Sequence, residues 1–519
     1  DVIVQFKTPP TKDDLKQLGP YGQMKKIFHG INAVLMPLPV GKLESLANNP
    51  NITFMSPDRV VKGSLDYAPA AVNAGIAYSY GWNGTGIGVA VIDSGINNVT
   101  DLKSGSTSRI VYSQSFVAGS TSTSDGFGHG THVAGIAAGN GTSSTGSYYF
   151  KTFRGIAPSA NLINLRVLDD SGAGTDSAVI AAIDQAIALK AQYNIRVINL
   201  SLGRPVQESY QTDPLCQAVE AAWKAGIVVV VAAGNEGRNN SQGTSGYGTI
   251  SSPGNDPYAI TVGAMKTMAT ASRGDDFVAS YSSKGPTLLD HVVKPDLVAP
   301  GNQIAGPTSG SSTLETLHPE IQVPLQYYKS TSYTGYSSSY IRLSGTSMAA
   351  PMVSGAAALL LQQNPNLTPD LVKARLMKTA YKTFPTSSIA TDPVTGAIYT
   401  SYYDLFTVGA GYLDVWAALN NSDTLPAGKS ALSPTVVYDA LTKKVKLVNG
   451  LNVVWGDNVV WGDNVVWGDN VVWGDTVVLV SNVVWGDSTV AGFNVVWGDN
   501  VVWGDNVVWG DTIGIKGDK

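Results

Sequence analysis

Gly345-Thr346-Ser347-Met348-Ala349-Ala350-Pro351 runs through Met352 into Val353-Ser354-Gly355-Ala356-Ala357-Ala358-Leu359-Leu360-Leu361. The small apolar run reads as a buried helix with Ser347 at its first turn. Free backbone N–H groups and the positive end of the macrodipole gather at that point and favour negative charge. A serine so placed is either an N-cap or a nucleophile, and Ser and Thr are ordinary caps. The choice falls to what the rest of the chain sets beside it.

Two other glycine-flanked turns carry chemistry. Gly86–Ile92 is a continuous apolar strand that ends in Asp93-Ser94-Gly95, and the carboxyl end of a buried strand is where an open α/β sheet places functional groups. Gly128-His129-Gly130-Thr131-His132-Val133-Ala134-Gly135 sets two histidines three apart on one helical face. Such a pair invites a metal reading, but no acidic ligand is interleaved as in metalloprotease helices, so no metal site is assigned. A neutral imidazole there fits a general base, and a structural histidine is the plainer alternative.

The intervening sequence is of α/β type. Leu162–Val167, Arg196–Leu200, Ile227–Ala232 and Ala259–Val262 are apolar without alternation, as for parallel strands covered on both faces. Helical patterns over His132–Ala138, Asp176–Lys190 and Pro214–Ala225 lie between them. The alternation predicts one doubly wound, mainly parallel sheet.

Asp93, His129 and Ser347 occur in the chain order Asp-His-Ser. With Val91-Ile92-Asp93-Ser94-Gly95, His129–Gly135 and Gly345–Pro351, the chain resembles the subtilisin-like serine proteases. The resemblance extends through Gly155-Ile156-Ala157-Pro158, Ser201-Leu202-Gly203, Ala232-Ala233-Gly234-Asn235, Ser282–Pro286, Pro295–Gly301 and Gly409–Leu413, about residues 80–420. It implies Ser347 as nucleophile, His129 as general base with His132 a packing residue, Asp93 orienting the imidazole, and Asn235 as oxyanion donor. It also implies a substrate-pairing edge at Ser201, Leu202 and Gly203. The primary specificity pocket would lie between that edge and Ala232, Ala233 and Gly234, with its far end near Ser251. That suits large apolar side chains, while Glu236 at the rim would suit a basic one.

Residues 1–61 read β-α-β-β-α-β, a ferredoxin-like α+β unit: strands at 2–6, 25–28, 31–36 and 52–61, helices at 11–18 and 41–47. The resemblance makes this unit an inhibitory and chaperoning propeptide, with autoprocessing expected near 62–65. The expected domains are therefore 1–63 propeptide, 64–421 peptidase, 422–451 a linker with short strands, 452–511 repeat and 512–519 tail. Asn140–Phe153 lacks the asparagine-rich calcium pattern of bacterial members, so that calcium site is not carried over; another structural calcium is left open, and catalysis needs no cofactor. Gln303–Tyr340, rich in Ser, Thr and Tyr, reads as a surface insertion bordering the leaving-group side of the cleft, and deleting part of Ser309–Gln326 is expected to change substrate preference but leave folding intact.

From residue 452 the hexapeptide Asn-Val-Val-Trp-Gly-Asp keeps phase over ten units, eight of them with Trp (455, 461, 467, 473, 485, 497, 503 and 509). Val-Val-Trp favours strand and Gly-Asp-Asn favours turn, so a β-repeat, meander or solenoid, is expected. Surface attachment, oligomerisation, stabilisation or carbohydrate binding are its conceivable roles.

Composition bounds the rest. A chain of 519 residues with 43% hydrophobic and 14% charged residues is globular, and a net charge of −5 gives no electrostatic reason to expect nucleic acid or an anionic membrane. Cys216 is the only cysteine, which excludes an intrachain disulfide and reads as a half-buried structural thiol. No apolar run reaches membrane-spanning length. No signal-like segment opens the sequence, so export would rest on a leader removed or omitted, and a secreted or surface location is expected. The expected partners are protein or peptide substrates and the chain's own propeptide. An alternative from another class is a catalytically idle adhesion protein in which the repeat does the work.

Overall fold

The computed structural model describes residues 2–28, 32–57, 64–241, 243–330, 333–392, 395–425, 429–439 and 444–448. Beyond these it describes four short strands, Val459–Trp461, Val465–Trp467, Val478–Val480 and Val508–Gly510. The chain divides into two units, Asp1–Gly63 and Ser64–Lys519.

In the first unit the strands Val2–Phe6, Lys26–Phe28, Ala33–Met36 and Ile52–Pro57 form one antiparallel sheet. Ala33–Met36 lies between Lys26–Phe28 and Val2–Phe6, and Ile52–Pro57 lies on the other side of Val2–Phe6. The Lys12–Leu18 helix starts where the sequence says it should. Thr11 accepts from the Asp14 N–H, and the Asp14 carboxylate accepts from the Thr11 N–H, a reciprocal capping box. Val4, Phe6, Leu18, Val34, Met36 and Leu46 close the small core. His29 and residues 58–63, including the first part of the expected processing segment, lie outside the described residues.

In the second unit the central sheet runs Phe277–Val278, Ile260–Lys266, Val228–Ala232, Ile195–Leu200, Gly88–Asp93, Asn161–Arg166, Ile110–Ser115, with Leu297–Pro300 also on Ile260–Lys266. Every pairing is parallel except that of Phe277–Val278. Gly88–Asp93 and Val228–Ala232 are buried throughout, which explains their lack of alternation. Helices Asp176–Ala188 and Pro214–Lys224 pack in one layer, with Thr175 and Asp213 as side-chain N-caps. The long Thr346–Gln363 helix packs in another, against Ile195–Leu200, Val228–Ala232, Ile260–Lys266 and the His129–Ala138 helix.

Four expectations need correction. The helix after the two-histidine motif starts at His129, because Gly128 takes φ 101° and turns the chain into it. Gln303–Tyr340 is no surface appendage. Ile304–Pro307, Gln322–Pro324 and Tyr336–Leu343 form a three-stranded antiparallel sheet. Its Val323, Tyr328 and Tyr340 bury a cluster with Phe153, and Leu314 and Ile321 enter the main core. The sequence misled because polar residues of this segment, Thr308, Ser312 and Ser337 among them, are themselves buried and hydrogen-bonded. Cys216 is fully buried rather than half-buried, 3.4 Å from Asn255 Oδ1, and desolvation pushes its thiol pKa far up.

The fourth concerns the supposed linker, which holds the two short strands expected of it but is packed into the body at Ser433. Thr435–Asp439 and Lys444–Val448 form an antiparallel hairpin, with Val478–Val480 added to its outer edge. Just before it, Ser433 is buried and donates to Asp296 Oδ1 at 2.5 Å, while Lys373 Nζ donates to Ser433 Oγ at 2.9 Å. Lys294 Nζ reaches the other Asp296 oxygen at 2.7 Å. The stretch is tied into the body by a buried ionic cluster. Among the described repeat residues, the neighbouring copies Val459–Trp461 and Val465–Trp467 pair antiparallel. Also among the described residues, no helix is long and apolar enough to cross a membrane.

Candidate active site

Asp93 ends the Gly88–Asp93 strand, Ser201 follows the neighbouring Ile195–Leu200 strand, and Asn235 follows the next, Val228–Ala232. Parallel order delivers all three to the same end of the sheet.

Asp93 and His129 meet directly. Asp93 Oδ1 lies 2.7 Å from His129 Nδ1, with both side chains fully buried, and it also accepts from the Ser94 N–H at 2.7 Å. That contact assigns the proton to Nδ1 and leaves Nε2, on the far side of the ring, as the basic nitrogen. The turn before the helix is held by a residue the sequence reading passed over, Asp125. Its Oδ1 accepts from the Gly128 N–H and the Ser94 hydroxyl, and its Oδ2 accepts from the Thr131 N–H, at 2.7, 2.8 and 2.7 Å. Ser94 Oγ in turn accepts from the Gly130 N–H at 2.9 Å. Asp125 therefore caps the His129 helix and bolts it to the Asp93 turn. Burial raises its pKa, against the lowering effect of these bonds. The signal available in sequence was an acid four residues before the helix start.

The glycines are steric requirements. A Cβ on Gly130 would stand 2.2 Å from the Gly95 carbonyl oxygen, and one on Gly128 would stand 2.4 Å from Ser312 Oγ. Ser312 belongs to the Gln303–Tyr340 segment, whose Thr313 and Leu314 N–H groups donate to Gly126 O and Phe127 O. The segment thus buttresses the histidine turn.

The second histidine is not equivalent. His132 is fully buried, its Nε2 lies 3.0 Å from Ile304 O, and desolvation, aided by nearby His129, depresses its pKa to about 3. It packs against Gly306 as a neutral ring.

Ser347 is buried in the first turn of the Thr346–Gln363 helix, and its hydroxyl donates to Ser201 O at 3.3 Å. Pro351 sits one turn on and has no N–H to give the Ser347 carbonyl. The Ser201 hydroxyl supplies that bond instead, at 2.8 Å, and accepts from Asn199 Nδ2 at 2.9 Å. Asn235 is half-buried beside this turn, where its Oδ1 accepts from the Thr346 N–H at 2.9 Å. That bond fixes the amide with Nδ2, the donor, beside Gly345, where an added Cβ would stand 3.2 Å from it and 3.6 Å from the Ser347 N. The Gly234 N–H donates to Thr346 Oγ1 at 3.1 Å.

The expected pocket residues also come together. Leu202, Gly203, Ala232, Ala233 and Gly234 are buried, and Ser251 N–H donates to Ala233 O at 3.0 Å. A Cβ on Gly203 would meet Ser251 Cβ at 2.9 Å, and one on Gly234 would meet Ser251 Oγ at 2.4 Å, so Ser251 touches both walls. Glu236 is exposed at the edge. Leu202–Gly203 is a short strand, and a second edge, Ala173–Gly174, faces it with one strand's width between.

Comparison with known proteins agrees in extent with the parallel-sheet body. Residues 84–411 match the sequence model of the subtilase family, Peptidase_S8. The chain is 40% identical to serine protease AprX of Bacillus subtilis (strain 168) over 366 residues, 68% of this chain and 75% of that protein. It is 34% identical to subtilisin E of the same organism, over 71% of this chain and 80% of that protein. It is also 34% identical to an alkaline protease of Shouchella clausii, over 68% of this chain and 75% of that protein. On the family match and on these identities, this chain belongs to the subtilase family and is a subtilisin-like serine endopeptidase.

Proposed function

We propose that Ser347, His129 and Asp93 form the catalytic triad of a secreted endopeptidase made as a zymogen. Ser347 Oγ attacks the scissile carbonyl, His129 Nε2 takes its proton and returns it to the leaving amine, and Asp93 holds the imidazole and stabilises its cation. The observation that carries this is the 2.7 Å contact between Asp93 Oδ1 and His129 Nδ1 at zero exposure, with Ser347 at a buried helix start on the same end of the sheet. Asn235 Nδ2 and the Ser347 N–H receive the oxyanion. Leu202–Gly203 takes the substrate backbone as an added strand, and its side chain enters between Gly203, Gly234 and Ser251. These groups of the chain itself supply the chemistry, with no cofactor. Residues 1–63 serve as the propeptide, released by self-cleavage near 62–65.

The test is the mass of the wild-type chain and of Ser347→Ala after expression, with casein hydrolysis. The wild type is expected to shorten and to hydrolyse casein, and the variant to do neither. A folded wild type that keeps its full length and cuts nothing ends this reading.

A further inference from the structure

The two short edges beside Ser201 do not pair with one another. The strand between them is Val508–Gly510, from the eighth Trp-bearing copy of the hexapeptide, and it pairs antiparallel with both. Val508 stands opposite Gly174, Trp509 opposite both Ala173 and Gly203, and Gly510 opposite Leu202. The chain's own repeat completes a three-stranded sheet in the substrate-pairing slot.

Direction gives this contact its meaning. Gly510 lies opposite Leu202, so the strand's carboxyl end runs toward Ser201, whose carbonyl accepts from the Ser347 hydroxyl. A serine nucleophile attacks the carbonyl that closes the amino-side segment of its substrate. A peptide awaiting attack must therefore lie along these edges with this polarity. Gly174 and Gly203 keep the edges narrow: a Cβ on either would stand within 3.0 Å of a neighbouring atom. Recognition through the main chain suits a repeated ligand, because identical copies present identical backbones.

The geometry points to a tethered ligand: a Val-Val-Trp-Gly-Asp copy from the C-terminal repeat occupies the amino-side half of the cleft and excludes other peptides until displaced. This rests on Ser347 as the nucleophile. Because the strand belongs to the same chain, its effective concentration at the slot can reach about millimolar, so a strand that binds weakly in isolation still fills the slot much of the time. Eight copies share the pentapeptide, so loss of one leaves others able to replace it.

The test is a binding measurement, kept apart from catalysis. Two full-length chains carry Ser347→Ala. One keeps its repeat, and the other has Trp→Pro at 455, 461, 467, 473, 485, 497, 503 and 509, since proline cannot donate to a strand ladder. The probe is a fluorescent, end-capped Asn-Val-Val-Trp-Gly-Asp peptide, read by anisotropy. It is expected to bind the proline chain about tenfold more tightly than the repeat-bearing chain, as release from millimolar internal competition requires. Equal affinities, or no binding to either chain, overturn the inference. Should the proline chain fail to fold, the same capped peptide is added to the active chain cleaving a chromogenic tetrapeptide. A raised KM at constant kcat supports the inference, provided a peptide N-methylated at Trp leaves KM unchanged; no rise up to millimolar peptide overturns it. Casein hydrolysis by the Ser347 chain separates failure of the protease reading from failure of this one.

Discussion

Ser201→Ala tests how Ser347, the proposed nucleophile, is held. Pro351 denies the Ser347 carbonyl its intrahelical N–H, and the Ser201 hydroxyl replaces it at 2.8 Å. The same hydroxyl accepts from Asn199 Nδ2, and Asn199 Oδ1 accepts from Ser354 Oγ at 2.8 Å, so one buried relay ties two turns of the helix to the sheet. Removing the hydroxyl orphans a buried carbonyl and one N–H of a buried amide. At about 1–3 kcal/mol for each of the two unsatisfied groups, the substitution should cost about 2–6 kcal/mol. Urea unfolding of chains that also carry Ser347→Ala, to prevent self-digestion, measures it. The decisive step is the double mutant. Pro351→Ala restores an N–H one turn on, so in that background Ser201→Ala should cost about 1 kcal/mol less, the worth of one hydrogen bond. With Ser347 intact, kcat should fall for Ser201→Ala and recover in part with Pro351→Ala. Costs that simply add, within about 0.3–0.5 kcal/mol, refute the complementation argument.

Other outcomes follow from the same geometry. Asp125→Asn, which keeps one acceptor where three donors converge, should lower kcat with little change in KM, and an unaltered kcat would mean the His129 turn needs no such anchor. Asn235→Ala should cost about 10²–10³ in kcat, a figure taken from the subtilisin oxyanion asparagine rather than worked from this structure; a loss below tenfold removes Asn235 from that role. His132 has a folded pKa of about 3 against an ordinary 6.5, so the unfolded chain binds the extra proton and the stability is lost as pH falls from about 6.5 to 3. His132→Gln should flatten that acid slope in unfolding midpoints, and an unchanged slope would mean His132 titrates normally. Gly130→Ala drives a Cβ to 2.2 Å from Gly95 O and should cost about 1–3 kcal/mol with loss of casein hydrolysis; a stable, active variant would mean the turn has slack.

Much of this was legible in one dimension. The capping box at Thr11 and Asp14, the unbroken apolar strands, and the three glycine-flanked turns at Asp93, His129 and Ser347 are local patterns. Each carries its own reason: a satisfied helix end, burial on both faces, or room for a backbone that a Cβ would block. A small residue beside a reactive one is readable because its neighbours in sequence are its neighbours in space.

What only the tertiary structure decided are pairings between distant segments, where no local pattern marks the partner. The bond from Ser201 to Ser347 O spans 146 residues, and the defect at Pro351 that it repairs looks in sequence like an ordinary helix proline. Ser312 reaches the Gly128 turn from inside a stretch whose polar composition suggested a surface insertion. Val508–Gly510 sits between Ala173–Gly174 and Leu202–Gly203, although the hexapeptide says only that it favours a strand. Sequence by itself determined which faces are apolar and marked the candidate reactive groups, because those are properties of residues and their near neighbours. Which donor meets which acceptor, and which edge receives the repeat, depended on the folded path, because hydrogen-bond partners are chosen by distance in space.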